Sequence, residues 1–191
     1  MEKEACFRNK MKQNIMLIGF MGTGKSTIAK ELSKTLGMDH VEMDQMITKR
    51  ENMEISNIFD KFGQEYFRDL ESNLLTEIQM KTGQIVSCGG GVALRPKNIE
   101  RMKSKAIVVL LTASPEVIFE RVQNETSRPI LNDHMNVEYI RELNEKRKGS
   151  YLAAADIMIE TDGKSIIEIS KEIIEKVSIK KQDTGRGIAD V

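Results

Sequence analysis

Between Gly19 and Ser26 the chain reads Gly-Phe-Met-Gly-Thr-Gly-Lys-Ser, the spacing G-x-x-x-x-G-K-[ST], and it lies between an apolar run at 14–18 and an amphipathic stretch. Strand, glycine turn and helix in that order constrain the fold strongly. The turn works only where successive backbone N–H groups and the positive end of a helix converge on one point. That point suits phosphate oxygens: Lys25 can reach the outer phosphates and Ser26 can ligate magnesium. A nucleoside triphosphate site built from Gly22, Thr23, Gly24, Lys25, Ser26 and Thr27 is therefore expected. A glycine-rich turn with no ligand would not need these flanks.

The rest of the chain alternates short apolar runs with longer amphipathic segments and contains no internal repeat. Strands are predicted at 14–18, 40–43, 84–88, 105–111 and 156–160. Their near-continuous apolar character suits a parallel sheet covered on both faces, so the expected fold is α/β, five parallel strands with helices on either side. Ser114-Pro115-Glu116 supplies a cap, a proline at the first helical position and an early acid, which predicts a helix to about Gln123. Phe67, Leu70, Leu74 and Ile78 recur at helical spacing ahead of Gly83. Residues 124–136 are polar and turn-rich around Arg128-Pro129; so long a connection has the character of a lid. Residues 1–13 and 179–191 lack periodicity and read as tails on a single domain spanning 14–178, with Met11 a second candidate start.

Composition narrows the partners. The 191 residues hold 29 Lys+Arg against 29 Asp+Glu, so no bulk charge favours nucleic acid or an acidic membrane. Any anion must be met by local design. The longest apolar run, at 106–111, falls well short of the ~20 residues of a membrane span, and the run at 15–20 is too short for a signal-peptide core. Cys6 and Cys88 form neither a C-x-x-C pair nor a disulfide framework, which fits a reducing, cytoplasmic setting.

In an open parallel sheet, ligands bind beyond the carboxyl ends of the strands. Two carboxylates, Glu42 and Asp44, follow the second predicted strand; one could support hydrated magnesium and the other a hydroxylated acceptor, although Asp44 could equally cap a helix. Gly89-Gly90-Gly91 follows the third, where a backbone must approach something closely, a ligand being the natural candidate. Arg68, Arg128 and Arg147 carry the two-point donors that suit carboxylate and phosphate. Plainer roles exist for each: Arg68 pairing Glu71 or Glu65 on an exposed helix face, Arg147 in a cationic helix end before Gly149, Arg128 in an ordinary loop. Asp60-Lys61-Phe62-Gly63 spells D-x-x-G within a helical pattern, and no N-K-x-D string accompanies it, so a GTPase is not indicated. Phosphoryl transfer to a small acceptor is the leading class.

Taken together, GFMGTGKST, Glu42-x-Asp44, Phe67-Arg68-x-x-Glu71, Gly89-Gly90-Gly91, Arg128-Pro129-Ile130-Leu131 and Lys146-Arg147 followed by Tyr151 resemble the shikimate kinase family in motif, order and spacing. The resemblance covers nearly the whole domain from Asn14 and implies the P-loop kinase fold shared with nucleoside monophosphate kinases. It implies ATP as co-substrate, Mg2+ as cofactor, shikimate as acceptor and a monomer, on the route to chorismate and aromatic amino acids. Carried over, Asp44 would hold the acceptor hydroxyls and assist the attacking one, while Arg68 and Arg147 would bind its carboxylate. Gly89, Gly90 and Gly91 would touch the same substrate, and Phe59 and Phe67 would line its pocket. Arg128 would close over the phosphates from the lid, and Arg121 would contact the nucleotide. The family's usual Asp-x-Asp is here Glu42-x-Asp44, which lengthens the side chain at the magnesium-linked position. Two other readings remain: a different small-metabolite kinase of this fold, acting on gluconate or a nucleoside monophosphate, and a non-enzymatic nucleotide-binding module.

Overall fold

The computed structural model describes residues 13–123 and 136–186. Five strands, β1 (Asn14–Ile18), β2 (Asp39–Glu42), β3 (Gln84–Ser87), β4 (Ala106–Thr112) and β5 (Ile157–Glu160), pair in parallel in the order β2-β3-β1-β4-β5. The helices described are α1 (Lys25–Leu36), α2 (Met43–Glu51), α3 (Ile55–Ile78), α4 (Pro96–Lys105), α5 (Pro115–Val122), α6 (Val137–Ala154) and α7 (Ile166–Arg186), with a 3-10 turn at Val92–Leu94.

Side chains alternate across a strand, so the central strand β1 feeds a core on each face of the sheet. Ile15 and Leu17 share one core with Ile28 and Leu32 of α1 and Ile169 and Ile173 of α7. Met16 and Ile18 share the other with Leu74 of α3, Met102 of α4 and Ile140 of α6. Each fully buried aliphatic side chain contributes roughly 1.5–3 kcal/mol of transfer free energy, so a strand apolar on both faces is stable only between two helical layers. The predicted α/β architecture is the one observed.

Differences lie at element ends. β2 stops at Glu42 and α2 begins at Met43, so Asp44 stands in the first turn of a helix. It does not cap that helix: the N-cap is Glu42, and no side chain makes the capping bond. Ser114 does cap α5, its Oγ accepting from Val117 N at 3.4 Å, as predicted. α3 is broken at Gly63, whose φ of 81° and ψ of 170° leave helical geometry, so the D-x-x-G string ends at a kink. The helical pattern continues past residue 178: α7 runs to Arg186, into the stretch read from sequence as a tail. The lid at 124–136, Arg128 included, lies outside the described residues apart from Asn136, which caps α6 through Tyr139 N.

Candidate active site

The segments that follow β1, β2 and β3 converge at one end of the sheet on a cavity of about 700 Å³. β1 is the point where strand order reverses, with β3 on one side and β4 on the other. Such a switch point opens a crevice because the chain leaves it in opposite directions.

The nucleotide side is the turn from β1 into α1. Gly24, the N-cap of α1, has φ 89°, a left-handed conformation that glycine adopts without penalty. No side chain caps α1 and no acid stands in its first turn, so its leading N–H groups and positive dipole end face the cavity. Gly22, Gly24, Lys25, Ser26 and Thr27 line it. Lys25 is buried, with Nζ donating to Gly19 O at 3.0 Å and Phe20 O at 2.8 Å, which holds the ammonium over the turn. Arg121 of α5 reaches across to Gly22 O at 3.1 Å and Thr161 Oγ1 at 3.3 Å and also lines the cavity. Thr23 is turned into the loop. Its hydroxyl and N–H both turn onto Phe20 O, at 2.8 and 3.4 Å, so its side chain braces the loop and does not line the cavity.

The acceptor side gathers Asp44 from α2, Phe59, Phe67 and Arg68 from α3, Gly90 and Gly91 after β3, and Arg147 from α6. Arg68 and Arg147 are only 5% and 6% exposed, which removes the surface roles left open for them. Arg147 stands inside α6, not at its end, and its guanidinium lies 5.5 Å from the centre of the Phe20 ring. Arg68 is flanked by the Phe67 and Phe59 rings, themselves 5.0 Å apart, at 5.6 and 6.0 Å. Buried guanidinium groups aimed into a cavity are expensive unless an anion meets them.

One anion is already present. Arg68 Nη1 donates to Glu71, whose side chain is wholly buried. Burial pushes the Glu71 carboxyl up to about 7 even though Arg68 and the Gly91 N–H favour its charged form. This pair explains the glycine run, which the sequence alone assigned to ligand contact. A Cβ on Gly91 would land inside the Arg68 guanidinium, and one on Gly89 would strike the Glu71 carboxylate and come within 2.8 Å of Asp44 Oδ1. Close approach is required, but for Gly89 and Gly91 the first thing approached is the ion pair. Gly89 does not line the cavity; Gly90 and Gly91 do. Glu71 thus belongs to the structure of the site, and its signal, the i,i+3 spacing from Arg68, was visible without its burial. Thr48, one turn beyond Asp44 on α2, and Ser87 at the end of β3 also line the cavity; no motif marked them.

Cys88 lines the same cavity at its floor, 2% exposed, and burial raises its thiol far above the ordinary value, so it acts as a small apolar wall. Glu42 Oε2 is buried without a hydrogen-bond partner, 3.5 Å from His40 Nε2. Ser26 Oγ lies 3.5 Å from Ser87 Oγ on the same wall. A hydroxyl and an unsatisfied carboxylate oxygen are hard donors that fit magnesium, which usually takes one or two protein oxygens and completes its shell with water and phosphate. Among the described residues no cluster of three or more His, Cys, Asp or Glu could hold a metal ion.

The family profile for shikimate kinase matches residues 21–178. The chain belongs to the shikimate kinase family. A shikimate kinase of Thermodesulfovibrio yellowstonii is 44% identical over 164 residues, covering 86% of this chain and 94% of that protein. One from Dehalococcoides mccartyi is 40% identical over 176 residues, 92% of this chain and 99% of its own. The solved structure of the Acinetobacter baumannii shikimate kinase in complex with shikimate superposes with a TM-score of 0.87 at 28% identity, covering 93% of this chain and 98% of that one. The family fold, a five-stranded parallel sheet with a phosphate loop after its central strand, is the fold of this chain.

Proposed function

We propose that this chain transfers the γ-phosphoryl group of ATP to the 3-hydroxyl of shikimate, giving ADP and shikimate 3-phosphate, a step on the route to chorismate and the aromatic amino acids. The observation that carries the reading is the joining, in one cavity, of an uncapped phosphate-loop helix to two buried arginines and a carboxylate on the opposite wall. A polyol lacking a carboxylate would leave Arg147 without an acceptor anion to bind and Arg68 with Glu71 alone, whereas shikimate brings a carboxylate to both.

The transition state of phosphoryl transfer is loose, so positioning and charge stabilisation supply most of the rate. Arg68 and Arg147 hold the acceptor carboxylate, which turns the ring so that a hydroxyl faces Asp44. Asp44 orients that hydroxyl and takes its proton late, as the bond to phosphorus forms. Lys25 and the α1 N–H groups receive the charge of the transferring group. Ser26 and Glu42 would hold Mg2+, which supplies charge neutralisation between the phosphates when bound. Arg121 contacts the nucleotide. The Arg128 role, closure over the phosphates from the lid, rests on the family motif at Arg128-Pro129-Ile130-Leu131. A cytoplasmic monomer completes the proposal: the setting rests on the cysteine usage and the monomeric state on the same resemblance.

Arg147→Ala separates the acceptor site from the nucleotide site. Losing a charged, desolvated hydrogen-bonding partner costs about 2–3 kcal/mol, so KM for shikimate is expected to rise roughly 30–100-fold while KM for ATP stays within about twofold. Steady-state kinetics with each substrate varied in turn checks this; an equal rise in both constants contradicts the assignment. The shikimate carboxamide should lose most of its binding to the unaltered protein for the same reason.

A further inference from the structure

Tyr151 has no part in these phosphoryl-transfer steps, yet its hydroxyl sits where three elements of the acceptor site meet. Arg147 and Tyr151 stand four residues apart on α6, so their side chains share one helix face. The Tyr151 side chain is buried, and its hydroxyl donates to Gly90 O at 2.6 Å. Arg147 on the same face, and Arg68 and Glu71 from α3, are the charged groups whose fields reach that hydroxyl. A hydroxyl carries one proton and two lone pairs. Its proton goes to the Gly90 carbonyl, which leaves its lone pairs as the side that a guanidinium one helical turn away is drawn to. Gly90 is the middle residue of the run whose outer members, Gly89 and Gly91, pack on Glu71 and Arg68.

We propose that Tyr151 is a positioning residue for the acceptor: its hydroxyl ties α6, the helix that carries Arg147, to the glycine turn that seats Arg68, and so fixes the spacing of the two carboxylate-binding guanidinium groups. The proposal rests on the reading of this cavity as a shikimate site. Tyr151 touches no reacting atom, so its contribution appears in acceptor affinity and leaves the nucleotide side alone. The Phe20 ring, 5.5 Å from Arg147, limits guanidinium movement from the other direction but carries no polar atom to bond the glycine turn, so it cannot replace the hydroxyl.

Tyr151→Phe removes one oxygen and keeps the ring. If packing were the only role, phenylalanine would serve equally. In the full chain, Tyr151→Phe is expected to raise KM for shikimate about 5–10-fold, as for loss of one neutral hydrogen bond, with kcat and KM for ATP within about twofold. Gln79→Met serves as the stability control. It removes a 2.6 Å side-chain bond to Arg101 O away from the cavity, and it should lower the melting temperature without moving KM for shikimate. An unchanged shikimate KM in Tyr151→Phe, an equal rise in both KM values, or a rise reproduced by Gln79→Met overturns the proposal. An unaltered chain that does not use shikimate overturns the substrate reading and this inference with it; turnover of shikimate with an unaffected Tyr151→Phe overturns the inference alone.

Discussion

Lys25→Ala is expected to lower kcat by about 10²–10³-fold, the loss typical of removing one preorganised donor from a developing oxyanion. The ammonium is held at the turn by Gly19 O and Phe20 O, so it stands at the helix N-terminus where outer phosphate oxygens arrive. Alanine keeps α1, since helix propensity favours it, but leaves those two carbonyls without their charged donor. The sheet should survive, because the turn lies beyond the β1 side chains that build both cores. Circular dichroism should therefore show native helix content and a modestly lower melting temperature, while single-turnover kinetics shows the loss in the chemical step. A kcat within tenfold of the unaltered protein would remove Lys25 from its assigned role.

The second large effect is at Glu71. Glu71→Ala leaves the Arg68 guanidinium buried without its anion, and breaking such a pair costs about 3–5 kcal/mol. For a chain of this length that corresponds to a fall of about 6–20 °C in Tm. Shikimate affinity should fall too, because Arg68 loses the group that fixes its fork. Glu71→Gln keeps an acceptor for Arg68 and isolates the effect of titration. The Glu71 carboxyl is raised from 4.5 to about 7 by burial, so between those values the folded state binds more protons than the unfolded state. Stability from this group is present at low pH and is lost as pH rises from about 4.5 to 7, by up to about 3 kcal/mol. Denaturant titrations across that window should show the decline in the unaltered protein and a flatter profile in Glu71→Gln. Identical profiles would mean that Glu71 does not titrate there.

Strands β1, β3 and β4 were legible because a strand covered on both faces has to be apolar at nearly every position, and that pattern survives without any knowledge of neighbours. The phosphate loop was legible because its chemistry is local: glycines, Lys25 and the helix N-terminus lie within eight residues of one another. The Arg68–Glu71 pair was half legible. Its i,i+3 spacing reads the same on a wet helix face as in a dry core, and what buries it is the glycine turn some twenty residues later in the chain. For the same reason Gly89 and Gly91 read as ligand contacts, when their nearest neighbours are Glu71 and Arg68. Thr23 reads as a cavity residue from its place in the motif, because spacing fixes the course of the backbone but not which way a side chain turns. The change from β2 to α2 at Met43 escaped the apolar pattern, because Met43 suits the end of a buried strand as well as the start of a helix.

The most direct measurement is ADP release from Mg-ATP with shikimate, gluconate, AMP or no acceptor, run beside Lys25→Ala to exclude a contaminating kinase. The expected result is release that depends on shikimate alone and is lost in Lys25→Ala. Release with gluconate or AMP in place of shikimate would contradict the acceptor site assembled from Asp44, Arg68 and Arg147, and ATP binding without turnover on any acceptor would contradict the reaction itself.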